Sequence, residues 1–209
     1  VRALFDLDAR PDVIATRLRR DRLLAPAVKA NPGLRVPGAF NGFEMGVRAI
    51  LGQQVTVKSA TTIAGRFAAA FGEPIITPMP ELSRLTPAPT RIASATVDDI
   101  ARHGIIATRA KSIIALAAAQ VSGEFTLDGG THRDPDEAIR RLTELPGIGP
   151  WTAHYMAMRA LGWPDAFPKE DIAVRKALGG LTAQQAEVQS QPWRPWRSYA
   201  VMHIWRSGN

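Results

Sequence analysis

Residues 145–171 read LPGIGPWTAHYMAMRALGWPDAFPKED, and three features of this stretch could do chemistry. Leu145, Pro146, Gly147, Ile148 and Gly149 form a tight turn between two runs of helical spacing. Pro146 ends the first run, and the glycines permit positive φ and leave no Cβ to block a close approach. Leu145 and Ile148 are the apolar residues that tie the two helices together. Backbone N–H groups at the start of the second helix make an anion site, able to hold one phosphate without reading sequence. An ordinary helical hairpin would use the same glycines. Trp151 and Tyr155 follow at i and i+4, one above the other on that helix, as core or as a face for a stacked ligand. Asp171 then opens a new apolar-periodic run. A carboxylate there could stabilise a positive charge developing on a substrate, or simply cap a helix. Glu170 is its neighbouring rival.

The whole chain narrows the partner. It has 209 residues, 45% hydrophobic and 22% charged, enough for one large or two small domains with a real core. Lys+Arg number 26 against 19 Asp+Glu, leaving +7 and a pI near 10.5. That balance favours a polyanion, because displaced counterions supply affinity, although a basic solvated surface has the same composition. Without cysteine, a disulfide framework, a thiolate zinc site and a cysteine-ligated cluster are excluded. His103, His132, His154 and His203 show no ligand spacing with acids, so no metal is expected. No phosphate loop or dinucleotide fingerprint appears. No apolar run is long enough to span a bilayer and no signal peptide pattern is present. The chain starts at Val1, so it is expected to be part of a longer protein.

The elements that must position these residues are helical. Helices are predicted at 8–20 (Asp8 as cap), 21–30, 43–51, 57–71, 96–103, 108–121, 134–144, 148–161, 171–178, 182–189 and 195–206. Asp134, Pro135 and Glu137 form a capping pattern. Residues 73–89 are proline-rich, an ordered loop or short turns, and 125–133 are a polar loop. Residues 1–7 (VRALFDL) alternate weakly and are the single strand candidate. The fold class is all-α, with two helical subdomains before and after Gly123 flanking a cleft. The N-terminal helices are expected to pack beside the C-terminal ones.

The order LPGIGPWTA, then an acid, resembles the helix-hairpin-helix DNA glycosylase superfamily. FEMGVRAILGQQVTV (43–57), FPKEDIAVRKAL (167–178) and PWRSYAVMHIW (195–205) narrow the resemblance to the inducible alkylpurine-DNA glycosylases, or 3-methyladenine DNA glycosylase II. The resemblance covers nearly the whole chain. It implies the helical glycosylase region at 8–209, with its hairpin at 134–161 and the catalytic helix start at 169–178. Residues 1–7 would be the remnant of an N-terminal β domain.

The resemblance also implies site roles. Asp171 becomes the catalytic carboxylate, stabilising an oxocarbenium-like transition state. Trp151 stands where strand-cutting members carry a Schiff-base lysine, so a monofunctional enzyme is expected. Trp151, Tyr155 and Trp205 would line the pocket for a flipped, electron-poor alkylated base; Trp193 and Trp196 are left to core or surface. Gln54 takes the intercalating wedge position, with Val55 assisting, where some relatives have an aliphatic residue. Glutamine can hydrogen-bond an orphaned base but fills the stack less well. Arg140, Arg141, Arg194, Arg197 and Arg206 could contact phosphates. The implied partner is double-stranded DNA containing alkylated bases, bound by a cytoplasmic, bacterial-type monomer associated with the nucleoid. No cofactor is implied, although hairpin carbonyls could hold a structural monovalent cation. The alternative is a non-catalytic helix-hairpin-helix DNA-binding module. An oxidised-base or mismatch glycosylase is opposed by the missing lysine and cysteines.

Overall fold

The computed structural model describes residues 1–127 and 134–208; His132 lies outside them. Twelve α-helices and one 3-10 turn account for the regular structure among these residues: α1 Pro11–Leu18, α2 Leu24–Ala30, α3 Gly42–Leu51, α4 Val57–Phe71, α5 Pro89–Ala93, α6 Val97–Ala101, α7 Ala107–Val121, α8 Pro135–Glu144, α9 Pro150–Arg159, α10 Ile172–Ala177, α11 Ala183–Gln189, the turn Gln191–Trp193 and α12 Arg197–Ser207. No helix among them is long and apolar enough to cross a membrane.

Local chemistry sets most helix starts. Asn41, Thr56, Asp134 and Asp171 each accept a hydrogen bond from a first-turn amide, and Thr96–Asp99 and Thr182–Gln185 form complete capping boxes. At α8 the pattern is half used. Asp134 accepts from Asp136 and Glu137, while the Glu137 carboxylate turns to Arg140 and Arg141. Asp8 is not a cap. It pairs with Arg2, and α1 begins at Pro11, whose fixed φ suits the first helical position. Residues 1–8 are not a strand either. Phe5 N–H donates to Val1 and Leu7 N–H to Arg2, so the backbone closes on itself in turns, with Gly38 N–H donating to Leu4 at 3.0 Å. An alternating pattern cannot form a ladder without a partner strand, and none is present among the described residues. The proline-rich stretch holds a single bridge, Pro74 to Arg84, before α5.

Two hydrophobic clusters share one helix. The first gathers α3 to α8 and includes Ala153 and Met156 of α9. The second gathers α1, α2, α10, α11 and α12 with Ala157 and Met158 of α9. Tyr155 packs on both. The N-terminal helices do join the C-terminal ones, as expected from the sequence. The division, however, runs along α9 rather than at Gly123, because α9 is apolar on opposite faces and serves two cores at once.

Candidate active site

Asp171 is delivered by a fastened loop. Phe167 N–H donates to His154 Nδ1 at 3.3 Å, and Ser198 Oγ donates to the Trp163 and Ala166 carbonyls at 2.7 and 2.9 Å. Asp171 N–H closes a turn on Pro168 at 2.8 Å. Asp171 is 8% exposed and its carboxylate receives three donors. Val174 N–H and the Trp205 indole donate to Oδ1 at 2.9 and 3.1 Å, and the Trp151 indole donates to Oδ2 at 2.9 Å. Asp171 is therefore a helix cap and an oriented carboxylate together; the two readings do not compete. Glu170 lines the same cavity, but its Oε2 is buried with no hydrogen-bond partner in the structure.

The aromatic residues meet as the spacing predicts, with one difference. Trp151 and Tyr155 are stacked at 5.2 Å between centroids and 12° between planes, and Trp205 tilts against Tyr155 at 6.2 Å and 42°. Trp151 borders two concavities. One, of about 520 Å³, also carries Gln54, Gly149 and Asp171; the other, of about 310 Å³, carries Tyr155 and Val55. Trp205 lines neither, and reaches the site through its N–H and its contact with Tyr155. Arg159, which no sequence pattern signalled, lies 5.6 Å over the Tyr155 ring and donates to its hydroxyl at 3.1 Å. Trp193 is core, donating to Asp21 at 2.7 Å, and Trp196 packs edge-on to Tyr199.

The glycine turn is anchored below and open above. Ile148 is buried, Leu145 is half-buried, and Ile148 N–H donates to Leu145 at 3.1 Å. Gly147 has φ +76°, and a Cβ there would lie 2.1 Å from Ser112 Oγ. Gly149 differs from the expectation of positive φ: it sits at −83°, with nothing within 4 Å of a Cβ. It precedes α9, which starts without a side-chain cap, so the first-turn amides of Trp151 and Thr152 have no intrahelical acceptor.

Gln53 ties the turn to the wedge loop. Its amide donates to the Gly147 carbonyl and to Thr152 Oγ1, each at 3.0 Å, while its own carbonyl accepts from Arg109. Sequence reading missed it, since nothing in a Gln-Gln pair marks one for a distant contact. Beside it, Gln54 is exposed and held at φ +53°. The arginines that could contact phosphates each have a partner within the protein. Arg140 and Arg141 pair with Glu137, Arg194 and Arg197 with Asp165, and Arg206 with Asn31. Among the described residues no group of three His, Cys, Asp or Glu side chains could hold a metal. His154 accepts the Phe167 amide, His103 packs against Phe71, and His203 is buried.

The helical hairpin, its uncapped second helix and the carboxylate held between two indoles sit within the part of the chain that matches a known family. The pattern of the HhH-GPD superfamily base excision DNA repair proteins matches residues 47–197, and the chain belongs to that superfamily. The AlkA N-terminal domain pattern matches residues 1–41, well beyond residues 1–7. Among curated relatives, the probable bifunctional transcriptional activator/DNA repair enzyme AlkA of Mycobacterium tuberculosis is 41% identical over 98% of this chain. The chain spans 41% of that relative's length. DNA-3-methyladenine glycosylase 2 of Escherichia coli is 38% identical over 97% of this chain and 68% of its own. In fold, the chain matches the 3-methyladenine DNA-glycosylase from Archaeoglobus fulgidus with a TM-score of 0.82, at 21% identity over 99% of this chain and 72% of that one. It also matches the Schizosaccharomyces pombe 3-methyladenine DNA glycosylase in complex with abasic DNA, with a TM-score of 0.75, at 23% identity over 93% and 95%.

Proposed function

We propose that this chain is a monofunctional DNA glycosylase that hydrolyses the N-glycosidic bond of alkylated bases such as 3-methyladenine in double-stranded DNA. The observation that carries the reading is the Asp171 carboxylate, held by two indole N–H groups beside the Trp151–Tyr155 stack. The relatives named above as 3-methyladenine glycosylases support it. In the reaction the C1′–N bond breaks with its electron pair leaving on the base, and positive charge grows on the sugar. Asp171 stabilises that charge from a fixed orientation. A water oxygen then bonds to C1′ and releases a proton, leaving an abasic site.

Other residues take supporting roles in this reading. The Trp151 and Thr152 amides hold a backbone phosphate at the helix start. The aromatic faces attract an electron-poor base, and Gln54 with Val55 fills the stack that the base leaves. Trp151 has no amine, so no Schiff base forms with the sugar. The Gly147 carbonyl already accepts from Gln53 and the Leu145 carbonyl from Ile148. Each keeps one lone pair with which to hold a structural monovalent cation. Catalysis needs no metal, and base release is expected to survive chelation.

The test is base release from methylated duplex DNA by wild type and Asp171→Asn, with binding to abasic-site DNA measured in parallel. Asparagine still caps α10, so the variant is expected to fold and bind but to release base at least about a hundredfold more slowly. Excision by the variant at the wild-type rate overturns the assignment. A wild-type chain that binds DNA and releases no base points to the non-catalytic hairpin module. Covalent trapping by borohydride contradicts the monofunctional reading.

A further inference from the structure

Four arginines lie within six residues around the end of α1: Arg17, Arg19, Arg20 and Arg22. None makes an ion pair among the described residues, whereas Arg2, Arg10, Arg48, Arg102, Arg140 and Arg141 all pair with local acids. The one acid in the cluster is already satisfied by neutral donors. Asp21 Oδ1 accepts from the Leu23 and Leu24 amides at 2.8 and 3.2 Å, and Oδ2 from the Trp193 indole at 2.7 Å. Arg17 and Arg19 complement the carbonyl end of α1. Arg20 and Arg22 lie beyond it, exposed and without a partner, so helix capping does not explain them.

The cluster is also concave and continuous with the site. Arg17, Arg20 and Arg22 line a cup of about 520 Å³ that includes Leu23. Leu23 also lines a groove of about 880 Å³ that runs past Lys176 and Trp205 to Ile172 and Ala173. Those last two residues also line the Asp171 cavity, with Gly147 and Gly149. Concave surface therefore leads from the carboxylate, over α10 and α2, to the unpaired arginines. Beyond the Asp171 cavity, which also carries Glu170, the charged groups lining the groove and cup are Lys176, Arg17, Arg20, Arg22 and the already satisfied Asp21.

We infer that Arg20 and Arg22 form a second phosphate-contact site, holding the DNA backbone where one flank of the strand leaves the Asp171 cavity along α10. The inference rests on the DNA reading above and deepens it, giving the protein a footprint extended to one side of the lesion. The hairpin would hold the phosphate nearest the site, and the cup a phosphate further along.

The experiment compares wild type, Arg20→Gln/Arg22→Gln and Arg20→Lys/Arg22→Lys by equilibrium binding across a salt series. Three abasic-site duplexes are used: a short one centred on the site, and the same duplex lengthened by one helical turn on either side in separate probes. On one lengthened duplex, the Gln variant is expected to lose affinity about tenfold, and its log K against log salt slope to shrink by about two, roughly one per lost phosphate contact. The Lys variant keeps the wild-type slope there, because a point charge still meets a phosphate. An equal loss on all three duplexes marks a general charge effect and overturns the inference, as does an unchanged slope on both long ones. Failure of wild type to bind any of the three would instead overturn the DNA reading itself.

Discussion

The indole of Trp151 and the carboxylate of Asp171, 20 residues apart in sequence, meet at 2.9 Å between Nε1 and Oδ2. From the other side Trp205 reaches Oδ1 at 3.1 Å. The acid is thus held between two rings belonging to different helices, α9 and α12. Phenylalanine at either position keeps an aromatic ring and removes the donor. Each of Trp151→Phe and Trp205→Phe is expected to slow base release by about ten- to a hundredfold, since a hydrogen bond to a charged group contributes roughly 1.5–3 kcal/mol. Affinity for abasic-site DNA should change far less, which single-turnover kinetics beside binding titrations would show. A matched loss in rate and affinity would mean the rings act only as packing.

Gly147 and Gly149 separate folding from binding. Gly147→Ala forces a Cβ against Ser112 Oγ at positive φ, with an expected cost of about 1–3 kcal/mol in urea unfolding. Gly149→Ala meets open space and should leave stability within about 0.5 kcal/mol. If the turn faces a phosphate, the same methyl group stands in the way and DNA binding weakens. A Gly149→Ala protein binding as wild type would remove the turn from the interface.

Gln54 carries a positive φ of 53° without being glycine, a conformation that costs roughly 1 kcal/mol or more. Gln54→Gly should therefore stabilise the protein in thermal unfolding while weakening its hold on abasic-site DNA. Gln54→Ala should weaken that binding with no gain in stability. Unchanged affinity in both variants rejects the wedge.

Arg197 is a buried hub of the second core. Its guanidinium donates to both oxygens of Asp165 at 3.0 Å and to Glu187 at 2.8 Å, with the Arg197 side chain only 7% exposed. Arg197→Met leaves Asp165 with Arg194 and Glu187 with Gln191, and the expected destabilisation is about 3 kcal/mol, the lower end for a broken buried pair because the acids keep these partners and are partly exposed. A loss under 1 kcal/mol in chemical denaturation would show the network to be idle.

His154 links stability to pH. Burial, and then the Arg197 charge, push its imidazole down to about 4, below the ordinary value near 6.5. Between those values the unfolded chain binds a proton that the folded one refuses. Stability is therefore full above about pH 6.5, falls as pH drops towards 4 and levels off below it, a change of roughly 3 kcal/mol. Burial lowers His203 too, with the same sign. Urea titrations from pH 7 to 4 should show the slope, and His154→Gln should flatten it.

The helices were legible because their signals are local. Thr96, Thr182, Asn41 and Asp134 cap the residues beside them, and the apolar periods of α3, α4 and α7 need no distant partner. Where the outcome depended on another segment, local pattern did not determine it. Residues 1–7 alternate like a strand but fold into turns, and Asp8 pairs with Arg2 instead of capping. Short α5 carries too few turns to show a period. The candidate arginines depend on packing too: whether Arg197 faces solvent or Asp165 is set by how α12 packs against the loop carrying Asp165.

The site divides along the same line. By itself the sequence determined the hairpin turn, the i, i+4 stack of Trp151 on Tyr155, and an acid at a helix start, all set by backbone geometry over a few residues. Only the tertiary structure decided what that acid touches. Trp205 and Gln53 reach the site from segments 34 residues beyond Asp171 and 94 before Gly147, and no local rule brings them there. Packing of two cores against opposite faces of α9 does.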